Sequence, residues 1–266
     1  MVKAISLPKK LICFIYSLGI IGTITFVLLR ITSRLVRQWL LRSVVLRYRC
    51  LCHRYRFFAR ADDWWRFVNY FEPRTAIFIE KIAKHTDVVV DVGAHIGIHT
   101  VHFAKKVRAV IAIEPEPQNF RLLKRNIDLN GLNNVLALPI ALSSYDGHIE
   151  LCISTSSGGH SVERREGCVA KVRVPCMRMD ALVNRMKISK IDIVKIDVEG
   201  HEHKVLEGMA GTLASAPPRV LIVEMDKDSE LIDELRNRYE YRYVIVLDNW
   251  GKRVNYAFIR DLRNRG

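Results

Sequence analysis

The stretch IDIVKIDVEGHE, residues 191–202, places charged side chains where an apolar run would otherwise continue. Because a buried charge is costly unless it is paired or used, these side chains belong at the open end of a β-strand. Alternation along a strand puts Lys195 and Asp197 on one face, and Glu199 continues that face past the strand end. A carboxylate held there can take a proton from a hydroxyl, and a neighbouring ammonium keeps it ionised. We therefore predict these three residues as catalytic, whereas Glu202 fits a first-turn helix acid equally well.

A glycine turn, DVGAHIG, follows an earlier apolar run of strand length. Gly93 permits a tight turn, and Gly97 lets a helix begin close to a ligand. The spacing is G-x-x-x-G and not the G-x-G-x-x-G of a nicotinamide site. Asp91 precedes the turn, and its carboxylate suits a cofactor that carries cationic or amino groups, or hydroxyls that must be held. A cofactor loop is therefore predicted, with a purely structural glycine turn as the alternative.

An acid also ends the next apolar run, AVIAIE. Glu114 is placed to accept hydrogen bonds from the two hydroxyls of a ribose, as acids do at this position in dinucleotide folds. The alternative is an acid that interacts with the N-terminus of a helix, and Glu116 fits that role better than Glu114 does.

Three histidines have helical spacing, His95, His99 and His102, which is the spacing of side chains on one helix face. No acidic partner is near them in the sequence, so we predict no metal site. His160 lies in a Ser/Gly-rich loop, where it could reach a substrate or serve only as a loop residue.

Apolar runs alternate with amphipathic segments from residue 86 onward, which predicts a parallel sheet covered by helices. A hairpin pair around a Ser/Gly-rich loop interrupts this rhythm within residues 147–178, and the last two runs, joined by the turn Asp248–Gly251, are most simply antiparallel. The prediction is a three-layer α/β domain with a mostly parallel seven-stranded sheet and an antiparallel edge. Its strands are expected at 88–92, 109–114, 135–142, 191–197, 219–225 and in the two closing runs, and helix 202–214 is expected between the fourth and fifth strands.

The net charge of +14 is unevenly distributed. Residues 1–60 hold 12 of the 42 basic residues and no acidic residue, so the remainder of the chain is almost neutral. Nucleic-acid binding by the body therefore loses its main electrostatic support, and no nucleic-acid partner is predicted.

Residues 11–29 contain no charged side chain, and a helix of that length approaches the thickness of a bilayer. We predict a retained transmembrane anchor, with a cleaved signal peptide as the alternative. Arginines follow this segment in larger number than lysines precede it, which places the body in the cytoplasm; a lumenal body is the other topology. Residues 31–60 alternate arginine with apolar residues and predict a basic amphipathic helix at the lipid surface, or a solvated spacer.

The six cysteines match no zinc motif, because no C-x-x-C pair occurs. The simplest expectation is free, mostly buried thiols in a reducing compartment.

Four segments together resemble the FkbM-type S-adenosylmethionine-dependent methyltransferases: VVVDVGAHIGIHT, AIEPEPQNFRLLKRNIDLNG, the ALSSYDG run and DIVKIDVEGHEHKVLEG. The resemblance covers about residues 86–226. It implies a class I (Rossmann-like) methyltransferase domain and, in most members, transfer to hydroxyls of sugars and natural products. This chain has His95 where an asparagine is common and His99 where an aromatic residue is common.

The resemblance also implies roles for individual residues. Asp197 and Glu199 would face the methyl-transfer crevice, Glu114 would hold the ribose hydroxyls, and Ala141 would pass near the adenine. The cofactor loop would comprise Asp91, Gly93, Ala94, His95 and Gly97.

These observations together predict a membrane anchor over 1–30, a basic juxtamembrane segment over 31–74 and a methyltransferase domain over 75–266. The expected reaction is O-methylation of a sugar, glycan, lipid-linked or other small-molecule hydroxyl at a membrane, with S-adenosylmethionine as the cofactor. A nicotinamide-dependent oxidoreductase and a non-catalytic membrane-tethered scaffold are the alternatives. The sequence leaves the acceptor and the oligomeric state open.

Overall fold

A computed structural model describes residues 46–50, 53–59, 72–154, 158–163 and 167–260. The chain divides into two compact units, Met1–Pro73 and Arg74–Gly266. The predicted anchor at 11–29 lies outside the described residues. Within the described part of the chain, no helix has both the length and the apolar character needed to cross a bilayer.

The first unit contains an antiparallel hairpin of β1 (Leu46–Cys50) and β2 (His53–Phe57). The predicted basic helix over 31–60 is therefore wrong for these residues, and residues 31–45 lie outside the described part. The reason is visible in LRYRC and HRYRF, where arginine alternates with other residues at a period of two, the period of a strand and not of a helix. Of the side chains described here, Tyr55 and Phe57 are buried.

The second unit is built on a seven-stranded sheet in the order β11-β12-β10-β9-β3-β4-β5. Strands β10, β9, β3, β4 and β5 are parallel, and β12 and β11 continue the sheet in antiparallel fashion. The predicted mostly parallel sheet with an antiparallel edge is confirmed. The strands are β3 (Val88–Val92), β4 (Ala109–Ile113), β5 (Val135–Leu138), β9 (Ile193–Ile196), β10 (Val220–Asp226), β11 (Tyr243–Trp250) and β12 (Arg253–Ile259).

Helices cover both faces of this sheet. Ile79 and Phe103, from the first two helices, pack with Val89 and Ile222 on one face. Leu182 and Leu235, from later helices, pack with Val90 on the other face, which gives the predicted three layers. The helices are α1 (Pro73–Ile82), α2 (Ile98–Ala104), α3 (Pro117–Leu129), α4 (Met179–Met186), α5 (Glu202–Glu207), α6 (Ala210–Ser215) and α7 (Leu231–Tyr239).

A separate three-stranded sheet has the order β6-β8-β7, with β6 (Ala141–Leu142), β7 (Gly147–Ser154) and β8 (Cys168–Met177). The hairpin predicted within 147–178 is confirmed as β7 and β8. The single strand expected over 135–142 is wrong, because β5 ends at Leu138 and β6 pairs with β8 instead.

Two further predicted elements differ in the structure. The helix expected over 202–214 is two short helices, α5 and α6, interrupted at Gly208, where an added β-carbon would stand 2.0 Å from the carbonyl oxygen of Ser143. The closing turn expected at Asp248–Gly251 is shorter, because β11 extends to Trp250 through an irregular register after Val246.

The cysteine prediction is corrected for two residues. Cys152 on β7 and Cys168 on β8 form a disulfide, with their Cα atoms 5.4 Å apart. The two strands are antiparallel neighbours, and this pairing brings the two Cα atoms to the distance that a disulfide requires. The spacing of the cysteines in the sequence does not reveal that proximity. Cys176 is a free and buried thiol, as predicted.

Candidate active site

The order of the strands reverses at β3, because the chain passes from β3 to β4 and β5 on one side and later returns to place β9 on the other. Ligands of open α/β sheets bind in the crevice at such a switch point, outside the carboxyl ends of the strands. Asp91 of β3 and Lys195 of β9 are paired in register across it. Both side chains are buried, so ionisable residues and not apolar ones lie at the floor of the crevice.

Thr100 of α2 holds one oxygen of the Asp91 carboxylate. Its hydroxyl donates to Asp91 Oδ2 at 2.6 Å. The other oxygen, Oδ1, is buried and has no hydrogen-bond partner among the described residues. A buried acceptor without a donor is costly, which suits a position where a ligand donates instead. Sequence reasoning identified Asp91 and missed Thr100, which carries no signal beyond its place nine residues later.

Gly93 is required by the chain that passes beside it. Its φ is +80°, and an added β-carbon would stand 1.8 Å from the carbonyl oxygen of Asp197. Gly97 has a φ of +94°, and a β-carbon there would lie 2.7 Å from Leu123 Cδ1 of α3. Ala94 is buried against Leu123 as well. The glycine turn therefore allows the loop to approach both β9 and α3, a packing reason that the sequence pattern did not show.

Glu114 joins the end of β4 to the glycine turn. The backbone N–H groups of His95 and Glu116 donate to its two carboxylate oxygens, at 2.7 Å and 2.9 Å. His95 reaches this position with a φ of +54°, a left-handed conformation that is unusual for a side chain other than glycine. Burial raises the pKa of Glu114 to about 7, although the two N–H groups favour the ionised form.

Glu116 caps the N-terminus of helix α3, which is the role that the sequence favoured for this acid. Its carboxylate accepts hydrogen bonds from the backbone N–H groups of Gln118 and Asn119. His160 lies beside it, with Nε2 4.0 Å from Glu116 Oε2. The Nδ1 atom of His160 accepts from the N–H of Ser154, so this histidine is part of an ordered contact.

The three predicted catalytic residues lie together at the end of β9. Lys195 Nζ donates to Asp197 Oδ2 at 2.8 Å, which confirms that an ammonium neighbours this carboxylate. Glu199 follows in a left-handed turn with a φ of +55°, and its carbonyl accepts from Ser161 Oγ at 2.7 Å. Whether these residues act in catalysis stays a prediction.

Glu224 of β10 belongs to the same group, and the sequence analysis missed it. Carboxylate oxygens of Asp197, Glu199 and Glu224 all lie within 4.8 Å of one another. Burial, followed by the charge of Asp197 and then that of Glu199, raises the pKa of Glu224 to about 8 against the opposing effect of Arg253. The available signal was an acid near the end of the fifth apolar run, VLIVEMD, analogous to those after earlier strands.

Arg253 of β12 ties Glu224 to the turn after β9. Its Nη2 donates to Glu224 Oε2 at 2.9 Å and to Glu202 Oε1 at 2.5 Å. Glu202 Oε1 also accepts from the backbone N–H of Gly200, so Glu202 stabilises the turn. Although burial opposes its charge, the two carboxylates raise the pKa of Arg253 above its ordinary value. Glu202 therefore has a structural role, in addition to its place in the first turn of α5.

The structure also describes the surroundings of Ala141 and of two of the spaced histidines. Ala141 lies on β6, where its buried side chain packs in the apolar core of the smaller sheet with Ile149 and Val174. Among the spaced histidines, His102 is 3.0 Å from Glu80 Oε2 of α1 and is buried. His99 is buried on α2.

Chemically, the site combines a glycine-rich turn, an acid at the end of β4 and a group of carboxylates at the ends of β9 and β10. An α/β enzyme that binds a cofactor at its switch point has this arrangement.

A family model, the methyltransferase FkbM domain, matches residues 91–258. The hexuronic acid methyltransferase AglP of Haloferax volcanii is 36% identical over 145 residues, which are 54% of this chain and 57% of AglP. The crystal structure of the FkbM methyltransferase from Methylobacillus flagellatus has a TM-score of 0.48 at 13% identity, over 75% of this chain and 54% of that chain. The TYW2 structure of M. jannaschii with AdoMet has a TM-score of 0.43 at 16% identity, over 80% of this chain and 83% of that one.

The family match extends over more than half of the chain, and the chain belongs to the FkbM methyltransferase family. Its alignment with AglP takes in less than two thirds of that relative's length. The family match supports S-adenosylmethionine as the cofactor, as predicted from the resemblance. The residues at the switch point fit this group, because Asp91 Oδ1 has no donor among the described residues and Glu114 offers a carboxylate for hydroxyl groups.

Proposed function

We propose that this protein transfers the methyl group of S-adenosylmethionine to a hydroxyl oxygen of a sugar, glycan or lipid-linked acceptor. The observation that carries the proposal is the position of Asp197 and Glu199 directly after β9, beside the β3–β9 crevice. The similarity to AglP, a hexuronic acid methyltransferase, supports a sugar-type acceptor.

When bound, the cofactor supplies an electrophilic methyl carbon on a sulfonium. The chain's own residues must hold the acceptor oxygen in line with that carbon and remove its proton. The carboxylate of Asp197 or Glu199 would accept the hydroxyl proton as the acceptor oxygen takes the methyl group that the cofactor supplies. Lys195, 2.8 Å from Asp197 Oδ2, favours the ionised form of that acid before the reaction.

Calorimetric titration of the full chain with S-adenosylhomocysteine, and in a separate experiment with NAD as the rival ligand, tests the enzyme class. We expect one molecule of S-adenosylhomocysteine to bind and NAD to produce no heat. Binding of NAD in its place would support a nicotinamide-dependent oxidoreductase. Binding of neither ligand would support the non-catalytic scaffold.

Asp197→Asn tests the proton acceptor. We expect this variant to bind S-adenosylhomocysteine as the unaltered chain does and to lose at least about 100-fold in methyl transfer, the usual contribution of a positioned base. Full activity would remove Asp197 from the mechanism and leave Glu199, tested in the same way with Glu199→Gln.

The acceptor is sought with radioactive S-adenosylmethionine in separated soluble and membrane extracts. Because tethering raises the effective concentration of an enzyme at the bilayer, an anchored methyltransferase is expected to label the membrane fraction. Mass spectrometry of the labelled product then identifies the methylated hydroxyl. Equal labelling of both fractions would contradict a membrane-borne acceptor.

Attachment through residues 11–29, with the catalytic unit in the cytoplasm, completes the proposal. It is supported by the 19 uncharged residues and by the arginines that follow them. The disulfide between Cys152 and Cys168 favours the lumenal topology, because disulfides persist in oxidising compartments. Mass spectrometry of unreduced, alkylated membranes decides between the two: separate alkylated peptides support the cytoplasm, and a cross-linked peptide supports the lumen.

A further inference from the structure

We propose that Asp197, Glu199 and Glu224 bind one divalent cation of the oxygen-preferring class, Mg²⁺ or Mn²⁺, at the mouth of the crevice. No metal site is predicted from the sequence, where only the histidines have the spacing of ligands on one helix face. Its role in catalysis rests on the proposed methyl transfer to a hydroxyl, whereas the binding of the ion does not.

The geometry of the three carboxylates is the first argument. One carboxylate oxygen of each lies within 4.8 Å of those of the other two, and each side chain is partly shielded from solvent. Neighbouring ligands of an octahedral ion with metal–oxygen distances of about 2.1 Å lie about 3 to 4 Å apart, so small side-chain rotations complete such a set. Carboxylate oxygens are the ligands that Mg²⁺ and Mn²⁺ prefer.

The balance of charge at this end of the sheet is the second argument. Lys195 is bonded to Asp197, and Arg253 is bonded to both Glu202 and Glu224. These two cations stand against five acids, namely Asp91, Asp197, Glu199, Glu202 and Glu224. The excess of negative charge in a partly buried place is stabilised by a bound cation.

Asn255 supplies an independent observation. Its side chain is fully buried, and neither its amide oxygen nor its amide nitrogen has a hydrogen-bond partner among the described residues. Asn255 stands directly opposite Glu224 in the antiparallel pairing of β12 with β10. Opposed residues of an antiparallel pair leave the sheet on the same face, so the Asn255 amide is on the face of the sheet that carries Glu224.

A hydrated ion accounts for that amide. Mg²⁺ keeps several of its water molecules when proteins bind it through one or a few carboxylates. Such water molecules point their hydrogens away from the ion, so they would donate to an amide oxygen such as that of Asn255. The amide oxygen of this buried asparagine would then be satisfied by the water shell of the ion.

The ion changes the chemistry that these acids perform. A hydroxyl bound to a divalent cation is acidified and held in a fixed position. The methyl carbon would leave the sulfonium and bond to that oxygen, the electron pair of the broken bond would remain on sulfur, and the hydroxyl proton would pass to the carboxylate of Asp197 or Glu199. Each of these acids would bind the ion through one carboxylate oxygen, which leaves the other oxygen to accept the proton.

Titration of the metal-free full chain with Mn²⁺ tests the site. The concentration of free Mn²⁺ is measured at each step by electron paramagnetic resonance. We expect one bound Mn²⁺ per chain, displaced by Mg²⁺. Glu224→Gln and Glu199→Gln are each expected to weaken Mn²⁺ binding at least about tenfold. The matched control is Glu207→Gln, which removes an exposed acid of the neighbouring helix α5 and is expected to leave Mn²⁺ binding unchanged.

Calorimetry with S-adenosylhomocysteine on the same samples separates this proposal from the proposed function. Absence of Mn²⁺ binding while S-adenosylhomocysteine binds would overturn the ion site and leave the methyltransferase. Mn²⁺ binding without S-adenosylhomocysteine binding would support the ion site and contradict the methyltransferase. Mn²⁺ binding that neither variant weakens would place the ion elsewhere and overturn the proposal. Should Glu224→Gln not fold, Glu199→Gln decides, because Glu199 lies in the turn after β9 and not in a strand.

Discussion

Gly93 and the backbone of Asp197 are in contact: a β-carbon at position 93 would stand 1.8 Å from the Asp197 carbonyl oxygen. The turn after β3 and the chain leaving β9 are therefore so close that position 93 has no room for a side chain larger than the hydrogen of glycine. This contact places the predicted cofactor loop beside the predicted catalytic acids. It also means that Gly93 maintains the position of both.

Gly93→Ala is expected to lower the free energy of unfolding by at least about 2 kcal/mol, because the new methyl group overlaps backbone and the residue has a positive φ. Gly131→Ala is the matched control. Gly131 also has a positive φ, of +62°, but no atom lies within 4 Å of the added β-carbon, so only about 1 kcal/mol of strain is expected. Urea unfolding of both variants measures the difference, and equal losses would contradict the contact.

Binding of the cofactor product should depend on pH through Glu114. The pKa of this buried carboxyl is about 7 in the folded protein, so the group is neutral below that pH. An ionised carboxylate is the better acceptor for ribose hydroxyls, and we expect the affinity for S-adenosylhomocysteine to fall as pH decreases below 7, by up to tenfold per pH unit. Calorimetry at pH 6 and pH 8 measures the change.

Glu114→Gln is the control for that dependence. Glutamine does not titrate, so the affinity of this variant is expected to be lower at pH 8 and to change little between pH 6 and pH 8. The sign for stability is the opposite of that for binding: because the folded pKa lies above the ordinary value of 4.5, the stability present below pH 4.5 is lost as pH rises toward 7. An unchanged slope in Glu114→Gln would assign the pH dependence to another group.

Thr100→Val should destabilise the protein by about 1.5 to 3 kcal/mol, because it removes the hydroxyl that donates to the ionisable Asp91 at 2.6 Å. Thr75→Val is the same substitution at an equally buried position of α1. The Thr75 hydroxyl has no hydrogen-bond partner among the described residues, so its loss is expected to be neutral or stabilising. Thermal unfolding compares the two, and a larger loss for Thr75→Val would contradict the role of Thr100.

Arg253→Gln should cost about 3 kcal/mol or more, because it leaves Glu202 and Glu224 as buried acids without their cation. Arg238→Gln removes an arginine that is 66% exposed and pairs with Glu234 on the same helix, and a loss below about 1 kcal/mol is expected. Denaturant titration at neutral pH measures both values. A small loss for Arg253→Gln would show that the two acids are satisfied without it.

The periodicity of the chain was sufficient to predict the parallel strands and the helices that cover them. Strands buried on both faces are continuous apolar runs, and Asp91, Glu114 and Asp197 stood out because each charge ends such a run. Composition alone was misleading for β1 and β2, because it suggested a helix while the alternation of arginine at a period of two indicated strands.

Other features depend on pairing between distant segments. The sequence does not show that Cys152 and Cys168 will form a disulfide. It also does not show that β6 will pair with β8 and not continue β5. The two parts of the predicted strand 135–142 are both apolar, and only the competition between two sheets assigns them. Such long-range pairing is decided by the closure of the whole fold and not by local preference.

The sequence by itself determined the class of fold, the family and the positions of the acids along the chain, because each follows from local patterns. The tertiary structure decided which acids meet. Glu224 joins Asp197 only because β10 lies next to β9, and Arg253 and Asn255 reach Glu224 only because β12 returns antiparallel beside β10. Charges that are far apart in the sequence interact strongly only when folding removes the water between them, and no local pattern records that contact.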